Sequence, residues 1–377
     1  MKTLSIFLAL SLLLSGCGNG RVTAAGGQDV ETLLLVRTVG VDTEGDGIVL
    51  TVCSGVGLDG SAPIVLREEG ESISHVLSSL RYNAAGREPF FTHTQHVILG
   101  EETAKEALPV SMDWILRSME IRLDADLYVL RDGKAGELIS DAMGESTAVS
   151  DELTLMKNDP AAAEIGMICS CGETAARLSE GGSALVCALS VENTDDSADG
   201  AGEKMPVPEG YAILSREGLL GYTERDCGLA VGLLENRVED SVLSAGDASL
   251  TVLDGGSRYI PAFDGNGALS SLTVSLHIRC SLMETPEPDS VSDPAYRRKL
   301  EESAEKTLRE ETEQLLRQSQ EMETDFLDLR GKCSRAAPRA FRKMPVSWEE
   351  AFPTLPIQTE VRVELVRTYN LERRPEY

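Results

Sequence analysis

The amino-acid sequence predicts an α+β fold with several domains, in which mixed or antiparallel sheets each pack against helices. Three observations lead to this prediction. The chain has 377 residues, more than one hydrophobic core usually organises. Its first half alternates strand-like and helix-like segments. Its last third contains two strands of alternating polarity separated by one long amphipathic helix, which we expect to lie across an antiparallel C-terminal sheet.

The first residues have the pattern of an export signal that ends at a lipid-acceptor cysteine. The apolar run over 4–14 is shorter than the roughly 20 residues that a membrane-spanning helix needs. It ends in LSGC, which resembles the lipobox of bacterial lipoproteins, because small residues precede a thiol that can carry a diacylglyceryl group. We predict a signal peptide at 1–16, lipidation of Cys17 and a tether at 17–30. The alternative is an ordinary signal peptide with a chance cysteine.

The lipid, rather than charge, is expected to hold the mature chain at a membrane. Two acyl chains give stable anchoring, and no later stretch of the sequence is long and apolar enough to span a bilayer. The formal charge is −27, from 35 basic and 62 acidic residues. This excess of acid argues against nucleic acid as a partner and against docking on anionic lipid. We therefore expect a protein tethered to the outer face of the cell membrane.

Seven cysteines remain after Cys17, and they are scattered along the chain. An odd, scattered set is a poor disulfide framework. Cys169 and Cys171 form the closest pair, but no histidine lies near them, so we predict no zinc site. Most of these residues are expected to be buried thiols that act as small hydrophobic side chains.

The N-terminal α/β domain is predicted over residues 31–148. It begins with strand-like runs at 33–41 and 48–56, which flank the turn-forming sequence DTEGDG and indicate a hairpin. Apolar residues at helical spacing then predict a helix at 71–84. The remaining predicted elements are a strand at 90–99, a helix at 101–119 and a strand at 124–133.

The sequence FFTHTQHVILGEE raises the question of a metal or acid–base site, because it holds two of the four histidines. We predict a strand here, on which His93 and His96 point to opposite faces and cannot readily chelate one ion. Glu101 and Glu102 are expected in the first turn of the following helix, where the helix dipole favours negative charge. The chain also lacks a G-x-S-x-G motif. We predict no metal, no catalytic residue and no enzymatic activity.

The rest of the chain is predicted to form two further domains. A middle domain at 149–255 contains a strand at 183–191, an exposed acidic loop at 194–209 and a hairpin at 210–226. A C-terminal domain at 256–377 contains alternating strands at 271–282 and 357–369. Between these strands, Asp293 and Pro294 have the residue types of an N-cap and a first helical position. They open a helix with one apolar stripe, formed by Leu300, Ala304, Leu308, Leu315, Met322 and Phe326.

Several short motifs occur in an order and spacing that resemble one family. They are VGVD ending at Asp42, F-x-H with ILGEE at 91–102, DWILR with EIR at 113–122, GYAI with LLG at 210–221, and a C-terminal set including Gln320, Asp325, Trp348 and Phe352. Together with the lipobox, they resemble the C-subunit lipoproteins of spore germinant receptors, the Ger(x)C family. The chain departs from the family near its start, where Gln28–Glu31 lacks the expected tryptophan.

The resemblance implies a non-catalytic, lipid-anchored subunit of a nutrient germinant receptor in the inner membrane of a dormant spore. Such a subunit is required for triggering germination and assembles with integral-membrane A and B subunits. It needs no cofactor other than the diacylglyceryl lipid on Cys17. An alternative function is a solute-binding lipoprotein of a transporter, although the usual two-lobed fold of that class suits the alternating strands of the last third poorly.

Three residues are candidate contacts with the membrane partners: Trp114, Arg117 and Arg122. Tryptophan and arginine are over-represented among interface anchors. A tether of roughly a dozen residues, at about 3.3 Å per residue, keeps the first domain within about 40 Å of the membrane. The alternative is that both arginines only pair with acidic residues inside their own domain.

Overall fold

The computed structural model describes residues 33–57, 60–84, 86–142, 147–159, 166, 168–193, 204–238 and 241–367. In this part the chain forms one ten-stranded and one four-stranded sheet, with helices packed on both. The predicted α+β class, with mixed sheets packed against helices, is confirmed. Cys17, the predicted tether and residues 194–203 of the predicted acidic loop lie outside the described residues.

The large sheet runs in the order β10-β9-β8-β6-β5-β1-β2-β3, with β4 beside β1 and β7 beside β6. Its strands are β1 (Leu33–Glu44), β2 (Gly47–Ser54), β3 (Val65–Gly70), β4 (Glu88–Phe90), β5 (His96–Gly100), β6 (Asp126–Leu130), β7 (Cys169–Ser170), β8 (Ser183–Asn193), β9 (Lys204–Ser215) and β10 (Leu219–Tyr222). Its helices are α1 (Ile73–Asn83), α2 (Glu101–Glu106), α3 (Leu108–Arg117), α4 (Ala135–Asp141), α5 (Val149–Lys157) and α6 (Cys171–Gly181).

The central strands β1, β5, β6 and β8 run parallel and are covered on both faces. Val97 and Leu99 of β5 pack with α1, α2, α3 and α6, whereas Ile98 packs with α4 and α5 on the other face. Every residue of β5 and β6 is buried, as expected for a parallel sheet with two helical layers. The predicted domain boundary at residue 148 falls between β6 and β8, which are hydrogen-bonded neighbours in this sheet.

The four-stranded sheet runs in the order β11-β12-β13-β14. Its elements and those beside it are α7 (Gly228–Glu235), β11 (Val242–Ala245), β12 (Ala248–Phe263), β13 (Leu269–Glu284), α8 (Pro294–Glu321), α9 (Leu329–Ala336), α10 (Pro338–Phe341), α11 (Trp348–Ala351) and β14 (Ile357–Arg367). The predicted boundary at residue 255 falls inside β12. Gly255 and Gly256 lie within this continuous strand. They allow the strand to pass close to α7, because a β-carbon at Gly255 would lie only 2.7 Å from Leu233.

The long helix α8 is confirmed, but the sheet beside it is not purely antiparallel. The Asp293 side chain caps the helix by accepting from the backbone N–H of Ala295, and Pro294 is the first helical residue. At 28 residues, α8 is about 42 Å long. It carries the chain back along β13, so that β14 runs parallel to β13. The C-terminal sheet that we predicted as antiparallel is therefore mixed.

Glutamates of α8 cover the outer edge of β14. The backbone N–H of Val363 donates to Glu305 Oε1 at 3.3 Å, and that of Leu365 donates to Glu301 Oε1 at 2.9 Å. Unpaired strand edges are a route to aggregation. These side chains therefore protect the edge as well as fixing the helix on the sheet.

Prolines explain two further differences from the predicted elements. The predicted helix at 101–119 is divided into α2 and α3 at Ala107, because Pro109 favours the start of a helix and interrupts a continuous one. Strand β9 begins at Lys204, inside the segment that we predicted as an exposed loop. Pro206 and Pro208 fit there because β10 pairs only with the later part of β9, so among the described strands this earlier part has a neighbour, β8, on one side only.

Asp42 joins the end of β1 to the first turn of α4. Its two carboxylate oxygens accept from the backbone N–H groups of Ala135 and Gly136, both at 2.8 Å. Burial raises the pKa of Asp42, and the two amide hydrogen bonds oppose that rise. Gly100, at the end of β5, lies directly against this carboxylate, so that a β-carbon there would overlap Asp42 Oδ1.

A buried ion cluster joins the helices of the two sheets. Glu235 of α7 binds Arg177 of α6 and, at 2.9 Å, Lys332 of α9. The side chains of Glu235 and Lys332 are 10% and 8% exposed. Burial alone would raise the pKa of Glu235, but Lys332 and Arg177 outweigh it and hold the pKa below its usual value. Apolar residues of β8 and β9 share one core with the small sheet at the same junction.

We expect Gly100→Ala to destabilise the chain by about 1–3 kcal/mol, because the added methyl must displace the buried Asp42 carboxylate. Urea denaturation of the purified chain measures this change. Gly181→Ala is the matched control, since nothing lies within 4 Å of its β-carbon position in α6. An equal loss of stability in both variants would contradict the proposed packing role of Gly100.

We expect Glu235→Gln to lower the free energy of unfolding by about 3–5 kcal/mol, because it leaves buried Lys332 without its carboxylate. The control is Glu310→Gln, which removes the exposed pair with Lys306 and should cost less than about 0.5 kcal/mol.

The Glu235→Gln variant also tests how the contribution of Glu235 to stability depends on pH. Because the folded protein lowers the pKa of Glu235, its stabilisation is present above the ordinary value of about 4.3 and is lost as the pH falls through the lower native pKa. The stability difference between wild type and Glu235→Gln should therefore shrink below about pH 4. A difference that stays constant across this range would exclude an ionised Glu235 as its source.

Candidate functional site

Two of the predicted contact residues lie on α3 beside one hollow of about 260 Å³, which we call the α3 hollow. Trp114 is half-buried and packs against the core of the large sheet. Arg117 is 78% exposed and donates from Nε to both carboxylate oxygens of Asp113, at 2.7 and 2.8 Å. The other lining residues are Leu77, Arg81, Phe91, Ser118, Met119 and Glu120.

The loop after α3 presents an apolar side chain to solvent. The Ser118 hydroxyl accepts from the backbone N–H groups of Glu120 and Ile121, both at 3.3 Å, and this turn ends the helix. Met119 is 99% exposed. Val110 and Leu116 of α3 are also exposed, and a second hollow of about 240 Å³, lined by α3 and α6, lies on the other side of the helix. Helix α3 thus stands between two hollows with exposed apolar residues.

Arg122 lines a different and larger hollow of about 400 Å³, which we call the His96 hollow. Its walls are the turn at 92–96, the segment 122–126 and the end of α5. The backbone N–H of Asp126 donates to the carbonyl of Gln95 at 2.8 Å, which holds the first two walls together. Arg122 itself pairs with Asp124, the kind of internal pair that we gave as the alternative to a partner contact.

His93 and His96 both line this hollow, although only His96 lies on a strand. The predicted strand at 90–99 is interrupted by a 3₁₀ turn over Phe91–His93, which leaves His93 exposed before β5 begins at His96. Glu101 and Glu102 occupy the first turn of α2, as we expected. Among the described residues, no group of three or more His, Cys, Asp or Glu side chains is arranged to hold a metal ion.

The hydrogen bonds of His96 determine which ring nitrogen carries its proton. The Thr154 hydroxyl donates to the carbonyl of Ser150 at 2.7 Å, so its oxygen is left to accept from His96 Nε2 at 3.2 Å. This hydrogen-bond pattern assigns the ring proton to Nε2 and leaves Nδ1 as an acceptor. Burial, reinforced by the charge of Lys157, lowers the pKa of His96 to about 4, so the ring is neutral at physiological pH.

Asp126 stands opposite His96 at the start of β6. Lys157 Nζ donates to its two carboxylate oxygens at 2.8 and 2.9 Å. Burial raises the pKa of Asp126, and the hydrogen bond and charge of Lys157 oppose that rise. His96 Nδ1 lies 3.6 Å from Asp126 Oδ2, which is longer than a hydrogen bond.

Four residues that line this hollow were not predicted from the sequence to lie together: Asp126, Thr154, Lys157 and Thr94. One signal was available for Asp126, because a charged residue begins the apolar strand sequence LYVL. Lys157 follows Thr154 by three residues, which places both on one side of a helix. Nothing in the sequence indicates that this helix end meets the start of β6.

The described cysteines offer no reactive thiol. All seven are buried and outside disulfides, and burial raises the pKa of each, for example that of Cys169 to about 11. A buried, protonated thiol is a poor nucleophile. No helix in the part that the structure describes is long and apolar enough to cross a membrane.

Comparisons with known proteins give one consistent family. Residues 26–182 match the family model described as "Spore germination protein N-terminal domain", and residues 209–369 match "Spore germination B3/ GerAC like, C-terminal". The fold is similar to that in the crystal structure of the GerBC protein, with a TM-score of 0.57 and 18% identity over 90% of this chain and 100% of that chain. No curated protein matches the chain. Because the two family models together cover most of both sheets, the chain belongs to the GerAC-like family of spore germination proteins.

Proposed function

We propose that the chain is the lipid-anchored, non-catalytic C subunit of a nutrient germinant receptor. In this role it assembles with integral-membrane A and B subunits at the inner membrane of the spore and is required for triggering germination. The observation that carries the proposal is membership of the GerAC-like family across both sheets, over residues 26–182 and 209–369. The same membership favours this role over the alternative of a solute-binding lipoprotein.

The position of Leu33 supports an anchor at Cys17. The two residues are 33 − 17 = 16 positions apart, so the intervening chain spans at most about 58 Å. Leu33–Leu35 pair with β4, and Phe91, the residue after β4, lines the α3 hollow. Strand β1 therefore begins beside the strand that leads into this hollow, and on this ground we propose that the α3 face lies toward the membrane.

The α3 face is our proposed assembly surface. It combines a half-buried tryptophan, an exposed methionine and an arginine whose one ion pair within the described residues is an exposed one with Asp113. Such a surface pair contributes at most about 0.5 kcal/mol, so Arg117 can exchange it for a partner acceptor at little cost. Arg122 remains a candidate contact, but through the rim of the His96 hollow rather than through the α3 hollow.

Cys17→Ala should release the protein from membranes. The change removes the proposed acceptor of the lipid, and the net charge of −27 gives no electrostatic attraction to anionic lipid. Fractionation after a high-salt wash, with wild type as the control, measures the membrane-bound share. If the variant stays with the membrane, Cys17 is not the anchor.

Reversing the charge of Arg117 and Arg122 to glutamate should abolish co-purification with the membrane subunits and leave the melting temperature nearly unchanged. Both side chains are exposed and, within the part of the chain that the structure describes, pair with nearby aspartates. Arg279→Glu is the matched control, because Arg279 is also half-exposed and pairs with Asp254 at 2.7 Å on the small sheet. Early melting together with partner loss would show that the arginines stabilise the fold instead.

A further inference from the structure

The His96 hollow contains buried polar atoms without protein partners. His96 and Thr94 are both 2% exposed and both line the hollow. Within the described residues, His96 Nδ1 and Thr94 Oγ1 have no hydrogen-bond partner. Buried polar atoms in native proteins are normally satisfied. Both atoms belong to residues that line the hollow, and no protein group in the described part of the chain satisfies them.

His96 Nδ1 requires a donor, because the ring proton sits on Nε2. Asp126 Oδ2, which is also an acceptor, lies 3.6 Å from this nitrogen. One group that donates to both must carry at least two hydrogens. An ammonium group meets this requirement and also places positive charge beside the carboxylate.

The cationic residues of the hollow retain donors for a second, acidic group. Lys157 uses two hydrogen bonds on Asp126, and an ammonium has three N–H bonds. Arg122 uses Nε and one terminal nitrogen on Asp124, which leaves the other terminal nitrogen free of a protein hydrogen bond within the described residues. Two basic and two acidic residues balance the formal charge, so a ligand with both signs and no net charge fits best.

We propose that the His96 hollow binds a small zwitterion whose ammonium group donates to His96 Nδ1 and Asp126. Its acidic group accepts from Lys157, Arg122 and the hydroxyl of Thr94. The volume of about 400 Å³ lies at the lower end of small-molecule sites, and Ala125 is the one apolar lining residue. This site is separate from the α3 hollow and does not depend on the proposed receptor role.

Glycine and trimethylglycine test the proposal, because they carry the same two charges but only glycine has ammonium N–H bonds. The full chain in detergent, with ¹⁵N-labelled histidine, is titrated with each compound. We expect glycine to shift the Nδ1 resonance of His96 saturably, and trimethylglycine to have no such effect. No saturable shift with glycine, or an equal shift with both compounds, overturns the proposal.

Two variants locate the binding site. Thr94→Val removes a hydroxyl that has no protein partner, so it should fold normally and weaken glycine binding by about 2–10-fold. Arg122→Gln should weaken it by about 10-fold, because it removes a charged contact. Arg117→Gln is the control, since this exposed arginine lines the other hollow, and it should leave affinity unchanged. If neither Thr94→Val nor Arg122→Gln changes affinity, or if Arg117→Gln lowers it equally, the proposal fails.

Discussion

The carboxylate of Asp42 is the contact on which the arrangement of the large sheet depends. It ties the central strand β1 to the first turn of α4, and it fits only because Gly100 and Gly136 leave room beside it. A buried carboxylate is costly unless its oxygens accept hydrogen bonds, so strand, helix and glycine must come together as one unit. Two sequence motifs that seem independent, VGVD at 39–42 and ILGEE at 98–102, are thus two sides of a single contact.

The helical layer beside the proposed assembly surface is also the layer that joins the two sheets. Helix α6 lines the second hollow next to α3 with Ala175 and Leu178. The same helix supplies Arg177 to the buried cluster around Glu235, which reaches Lys332 in the C-terminal half. A molecule that bound along α3 would therefore contact a helix, α6, that is itself bound to both halves of the chain.

Local patterns in the sequence predicted local structure well. The alternation of β13, the cap formed by Asp293 and the apolar stripe of α8 from Leu300 to Leu315 all depend on neighbouring residues, and all are found. Met322 and Phe326, which we predicted as the end of that stripe, lie beyond the last helical residue, Glu321. Features that depend on contacts between distant residues could not be predicted from the sequence. The direction of β14 depends on where α8 returns the chain, and Gly255 is a close approach to Leu233, which nothing nearby in the sequence reveals. The His96 hollow is the extreme case, since its three walls come from residues 92–96, 122–126 and 154–158.

The short segment between α3 and β6 separates two surfaces of different chemistry. At its start, Trp114 and Met119 border the α3 hollow, which has a largely apolar floor suited to packing against a protein. At its end, Arg122 and Asp126 border a hollow lined almost wholly by polar groups, where desolvated hydrogen bonds rather than apolar area would determine binding. In a chain with a net charge of −27, basic residues are scarce, yet each hollow is lined by two of them, and Arg117 of one stands only five positions before Arg122 of the other. The predicted contact residues therefore lie on one segment but beside two hollows of different chemistry, because the turn at Ser118 directs the chain from one hollow to the other.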